Sequence, residues 1–342
     1  MTLFEPEGQY GQYPIRPRER QRRRGGRVWT IVLAVVAVAI LLVLAPWDPY
    51  RGQAVSDQVT IWLNPSPPEI SELAAASGMS ETGRRIFFAS TPELDDANDF
   101  NTHCPVDEQI VLGCYAAREI YLYRITDERL RGTNEVTAAH EMLHAAYERL
   151  PDSERTRVDA LIDTFVGALP DDDPLFAILQ SYPAESHSDE LHSRLGTEIT
   201  ELTPELESYF GRYFDDRSLV LAEYAHSTAA LDAVGAKIAE LTAQLDALGA
   251  DIEARRSAWD ADSADLDSDI ERYNASGRTP TSDREYRELQ SRWDAREAAR
   301  VALVADIDRY NAMVAELNEL SAANNELYQE LDSMAGAREP AP

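Results

Sequence analysis

The chain has 342 residues, enough for about two domains, and a formal net charge of −29. The acid lies in the body of the chain: residues 1–27 hold seven arginines against Glu5, Glu7 and Glu19, and Lys237 is the single lysine in the sequence. A body this acidic repels phosphate, which excludes nucleic acid as the partner of the main domain.

Residues 1–27 are rich in proline and arginine and read as a basic, disordered cytoplasmic tail. Val28 to Ala45 is an apolar run broken only by Thr30, with Trp29 and Trp47 at its ends. Its length predicts a single N-terminal transmembrane helix over 28–46. The basic block before it sets the orientation: N-terminus cytoplasmic, main domains extracytoplasmic, a single-pass protein of the cell membrane. An uncleaved anchor fits better than a signal peptide because the run exceeds a usual h-region. Cys104 and Cys114 both follow the span. In an oxidising compartment they read as a disulfide, in preference to a metal site built with His103.

Residues 54–217 read as one compact α+β domain. Gln58 to Leu63 has the composition of a short strand, helices are expected from Pro68 to Ala76 and from Ser80 to Ala89, and Pro92 to Thr102 reads as an acidic loop. Ile110–Leu112 and Glu119–Ile125 read as strands; the second is rich in β-branched and aromatic residues. Its edge could pair with an extended peptide, or the strand could be plain sheet core. A helix follows through residues 136–147, with Thr133 or Asn134 as its cap and Pro151 beyond its end. Further helices are expected from Asp152 to about Leu169 and from about Leu175 to Ser181.

The 136–147 helix carries the one strong chemical motif, His140-Glu141-Met142-Leu143-His144, set among uncharged neighbours. Positions i and i+4 share a helix face, so both imidazoles can reach one ion, with Glu141 beside its open side. That is the arrangement a hydrolytic zinc site needs. The bland alternative is a buried helix whose polar side chains are satisfied by hydrogen bonds. Over these residues the chain resembles the zincin metallopeptidases. The resemblance implies Zn²⁺ as cofactor, His140 and His144 as ligands, and Glu141 as the general base that takes a proton from water and delivers it to the leaving amine.

A catalytic zinc takes three protein ligands. One zincin branch places a glycine and then a third histidine three and six residues after the second; Tyr147 and Leu150 stand there. The remaining pattern resembles the gluzincins, in which a later helix supplies a glutamate. The candidate segment is 185–198, and Glu190 is the expected ligand, inside an apolar stripe of Leu191 and Leu195. Glu185, His187, His192 and Glu198 are the other candidates. His192 is also a candidate catalytic donor to an oxyanion, or an orienting partner for a ligand. Ser186 and Asp189 resemble a capping box, and Arg194 stands four residues after Glu190, where it can pair with it.

Heptad-like runs fill residues 218–334: Leu231, Val234, Ile238, Leu241 and Leu245 in one, Leu303, Ile307, Tyr310, Val314 and Leu317 in the other. Ile270-Glu271-Arg272-Tyr273-Asn274-Ala275 nearly recurs as Ile307-Asp308-Arg309-Tyr310-Asn311-Ala312. This predicts a long antiparallel coiled-coil hairpin with its tip near 275–283, with parallel dimerisation as the alternative and 335–342 as a disordered tail. The whole reads as a membrane-anchored zinc metallopeptidase acting on a peptide or protein substrate. The competing reading is an inactive zincin-like scaffold whose coiled coil docks an envelope protein.

Overall fold

The computed structural model describes residues 25–44, 49–104, 110–278 and 284–333. The chain divides into two units, 1–55 and 56–342. The first holds α1 (Gly25–Leu44) and the start of α2 (Pro49–Leu63). Among the described residues no helix is long and apolar enough to cross a membrane. The transmembrane helix expected over 28–46 is therefore corrected, since a span takes about 20 consecutive apolar residues in one helix. The tails expected over 1–27 and 335–342 lie outside the described residues, apart from Gly25–Arg27 at the start of α1.

In the second unit the expected α+β zincin-like domain is also corrected. Helix makes up 76% of the structure, and among the described residues only three strands form. The stretch Gln58–Leu63 is the end of α2, not a strand: the amide of Asn64 still donates to the carbonyl of Thr60 at 2.9 Å, continuing the helical ladder. Two helices follow, α3 (Pro68–Ala76) and α4 (Glu81–Ala89), the latter capped by the Ser80 hydroxyl accepting from the Gly83 amide. The stretch read as an acidic loop folds as β1 (Glu93–Asp95) and α5 (Ala97–His103). Local capping explains α5: the Asp96 carboxylate accepts from the amides of Asn98 and Asp99.

The sheet has the order β1-β3-β2, where β2 is Gly113–Ala116 and β3 is Glu119–Tyr123. The β1–β3 pair is parallel and the β2–β3 pair antiparallel. Ala117 and Arg118, both at positive φ, make the two-residue turn between β2 and β3. Ile110–Leu112 leads into β2 without joining the sheet. Since β3 is paired on both sides, neither of its edges is open to a peptide; among the described residues the outer edges of the sheet belong to β1 and β2. Cys104 at the end of α5 and Cys114 in β2 form a disulfide, Cα atoms 6.0 Å apart.

At the centre runs α6 (Thr133–Glu148), burying Val136, Ala138, Ala139, Met142, Leu143, Ala145 and Ala146. It packs on α3, α4, β2 and β3, and on α9 (His187–Thr197). Its cap is neither Thr133 nor Asn134 but Gly132, at φ +95°. A Cβ there would also lie 2.2 Å from the carbonyl oxygen of Glu223. Only glycine accommodates both the left-handed backbone and this contact. Asn134 reaches back instead, its side chain bonding both the amide and the carbonyl of Ile125. The chain continues through α7 (Asp152–Val166), α8 (Pro174–Leu179), α9 and α10 (Pro204–Phe210).

Glu223 lies in α11 (Arg217–Ala275), which pairs with α12 (Arg284–Leu331). The pairing is antiparallel. Leu241 and Leu245 pack with Met313, the Trp259 ring nitrogen donates to the Arg296 carbonyl at 3.1 Å, and Arg292 meets Asp269 at 2.7 Å. Nearest the sheet, Leu231 and Val234 of α11 and Leu327 and Leu331 of α12 share one cluster with Ile125 and Leu130. The hairpin is rooted in the core of the helical domain.

Candidate metal centre

His140 and His144 project from one face of α6, and Glu190 from the facing turn of α9. One ligand atom from each lies within 4.8 Å of the others, the single such group of three or more ligating side chains among the described residues. The two Nε2 atoms are 3.1 Å apart, and Oε2 of Glu190 stands 3.7 Å from that of His140 and 3.6 Å from that of His144. Ligands bound tetrahedrally at zinc–nitrogen and zinc–oxygen distances sit roughly 3.3 Å from one another. The three atoms bracket that separation, so a point about 2 Å from all of them exists. Two imidazoles and one carboxylate are also the donor set of a catalytic zinc. The residues present fit the ion.

Two of the three ligands, His144 and Glu190, are held from behind. Nδ1 of His144 meets Oδ1 of Asp189 at 2.9 Å, which directs Nε2 toward the centre. The other oxygen of Glu190 accepts from Nε of Arg194 at 2.6 Å, and Arg194 is gripped in turn by Glu198 at 2.9 Å. Burial pulls the His144 pKa down, but Asp189 and Glu190 outweigh it and push it up to about 10. Burial likewise works to raise Glu190, yet the imidazoles of His140 and His144 and the charge of Arg194 hold it well below the ordinary carboxylate range.

Glu141 is 5% exposed. Burial raises its pKa first of all, against the lowering influence of the two histidines. The backbone of β2 passes directly over it. A Cβ on Gly113 would come within 2.9 Å of the Glu141 side chain and 2.6 Å of Thr137, so glycine leaves the room that carboxylate occupies. His140 and Glu141 open on a cleft of about 280 Å³ whose lining includes Gly113, Tyr182, Arg194 and Leu231.

The structure does not bring His192 to this place. It is fully buried, with Nε2 bonded to the Tyr209 hydroxyl at 2.8 Å and its ring among Tyr147, Tyr209 and Phe210. Burial lowers its pKa to about 3. A neutral imidazole that solvent does not reach cannot donate to a substrate oxyanion, so the expected catalytic role is withdrawn. Of the alternative ligands, His187 bonds the Tyr182 carbonyl at 3.0 Å, Glu198 is taken by Arg194, and Glu185 is not in the group. Asp189 was read as part of a capping box, and its hold on His144 was missed. The usable signal was general: a ligating histidine gives its second nitrogen to an acceptor, and carboxylates beside a ligand on the same helix are candidates. Tyr182, between α8 and the 185–198 segment, also lines the cleft, and nothing in the sequence singles it out.

Comparison with known proteins finds no matching family model, no matching curated protein and no matching solved structure. The functional argument therefore rests on this site.

Proposed function

We propose that the protein is a zinc-dependent peptide hydrolase with His140, His144 and Glu190 as ligands and Glu141 as general base. The observation that carries this reading is the convergence of the three donors, from two helices, beside a buried carboxylate that opens on a cleft. Zinc, when bound, supplies Lewis acidity that lowers the pKa of water toward neutrality. Glu141 accepts the proton of the attacking water and returns it to the leaving amine. Its burial supports this, because a carboxylate shielded from solvent holds a proton more readily than a free one.

The free edge of β2 supports a peptide as substrate. The carbonyl of Leu112 accepts from the amide of Tyr123, and Gly113 is opposite Leu122. By the alternation of antiparallel ladders, the backbone groups of Gly113 and Tyr115 face away from β3. An extended chain laid along that edge runs beside Glu141. The disulfide supports residence in an oxidising compartment.

The test is zinc content of the purified protein beside single variants. One zinc per chain is expected in the wild type, with His144→Ala and Glu190→Ala losing it. Glu141→Gln is expected to keep the metal and to lose peptide hydrolysis by roughly 10²–10⁴-fold. A wild-type chain that takes up no zinc when supplied with it would falsify the proposal.

A further inference from the structure

The cleft beside Glu141 has two walls of different origin. One is the segment leading into β2, with Ile110 at the mouth, 45% exposed, and Leu112 behind it. The other belongs to the long hairpin: Tyr224, Ser227, Thr228 and Leu231 of α11, closed by Leu331 at the end of α12. The α11 residues fall at i, i+3, i+4 and i+7, a single helix stripe. That stripe carries no charge, although its helix is acidic overall and bears Glu223 and Asp232 close by.

Leu112, Leu231 and Leu331 belong to the cluster that roots the hairpin. Its innermost members, Leu130 and Leu327, are fully covered at 1% and 2%. Leu112 and Leu231 are only half-buried and border the cleft. Packing the hairpin onto the domain thus uses up one side of the cluster and leaves the other toward the reactive carboxylate. The charged lining outside α6 is separate: Arg194 and Glu198, with Tyr182, are already engaged around Glu190.

We propose that the root of the hairpin is the specificity wall of this cleft, and that it selects peptides with an aliphatic side chain beside the scissile bond, seated against Leu112, Leu231 and Leu331. The inference rests on the hydrolase reading and deepens it. Covering half-buried leucines with an aliphatic side chain removes apolar surface from water, whereas a charged side chain would lose its hydration there without gaining a partner.

The experiment uses the full-length, zinc-loaded chain and pairs of short peptide hydroxamates, which bind zinc whether or not a peptide is cleaved. Members of a pair differ only in carrying leucine or glycine beside the hydroxamate. Pairs are made with that residue on either side of the zinc-binding group, and affinities are read by calorimetry. In one orientation leucine is expected to bind roughly 10-fold tighter or more. Leu231→Asp is expected to bring the ratio close to one. Thr228→Asp, on the same stripe but not in the cluster, is expected to reduce it as well, which covers the case in which Leu231→Asp fails to fold. Zinc content and circular dichroism report folding.

Equal affinities for leucine and glycine in both orientations overturn the proposal, as does a preference that survives in both folded variants. Absence of binding by a zinc-loaded chain overturns it too. A chain that prefers leucine but cleaves no peptide keeps the wall and rejects the hydrolase. A chain that takes no zinc rejects both.

Discussion

Asp189 and Arg194 show how the proposed three-ligand site depends on residues outside the ligand set. Asp189 orients His144 through a 2.9 Å bond, and Arg194 fixes Glu190 through one of 2.6 Å. Freed of Asp189, the imidazole can rotate and change tautomer, and its basicity falls. Asp189→Ala is therefore expected to weaken zinc affinity by roughly 10–100-fold without unfolding the chain; competition with a fluorescent chelator measures it. A second carboxylate, away from the site, tests the electrostatics of the fold. Hydrogen bonds from Arg157 lower the pKa of Glu154 from an ordinary 4.5 to about 2 against the opposing effect of burial, and Arg212 adds to the lowering. A carboxyl depressed in the folded state stabilises the fold above its unfolded pKa, and that contribution disappears as pH falls through the folded value. Stability is thus expected to drop between about pH 4.5 and pH 2, and Glu154→Gln to flatten that drop by on the order of 1 kcal/mol after solvent screening. Urea titrations across this range decide it. An unchanged slope in the variant would reject the assignment.

At the scale of elements, α6 is placed by the residue that caps it. Gly132 combines a φ of +95° with an approach to Glu223 that leaves no room for a Cβ. Gly132→Ala is expected to cost roughly 1–3 kcal/mol, read as a lower denaturation midpoint at unchanged denaturant slope. Because the cap fixes where α6 starts against α11, the substitution is also expected to disturb His140 more than Asp57, whose partners Arg85 and Arg149 lie on α4 and at the far end of α6. This contact also shows what sequence can and cannot carry. The spacing of His140 and His144 puts two donors on a shared face whatever surrounds them, because that is a property of the helix alone. Glu190 is the expected third ligand from sequence but keeps rivals in Glu185, His187, His192 and Glu198, since which of them meets α6 depends on how two helices pack. His192 has the same chemistry as a site histidine, and only burial beside Tyr209 distinguishes it. Val59, Ile61 and Trp62 suggested a strand, yet they continue a helix begun at Pro49. Strand propensity of so few residues yields to the ladder already in progress. The centre of the sheet was equally illegible: pairing on both sides of β3 depends on β1, whose three residues carry no alternation of their own.

At the scale of the whole second unit, the long helices are legible from their repeats, but their dependence on the domain is not. Heptads specify that α11 and α12 face one another; they say nothing of Ile125 and Leu130, which fill the same cluster from the other side. The hairpin consequently has a root and a shaft with different duties. The shaft beyond Leu245 and Met313 is built from pairings between its own two arms, through layers such as Trp259 with Arg296 and Tyr273 with Tyr286. Removing matched heptads from both arms there, and rejoining them with a short loop, takes nothing from the metal centre. Such a variant is expected to keep circular dichroism in proportion to its helical length and to bind one zinc. Removing everything after residue 216 exposes Ile125 and Leu130 and strips Val220 from the main core. At roughly 1.5–3 kcal/mol for each buried aliphatic side chain that loses its cover, three such losses amount to several kcal/mol, a large part of the stability of an ordinary domain. That shorter chain is expected to be unfolded or aggregated and to bind no zinc stoichiometrically. If it folds and takes up the metal, the hairpin root is an accessory to the centre; if only the shortened hairpin does, the root is part of what builds it.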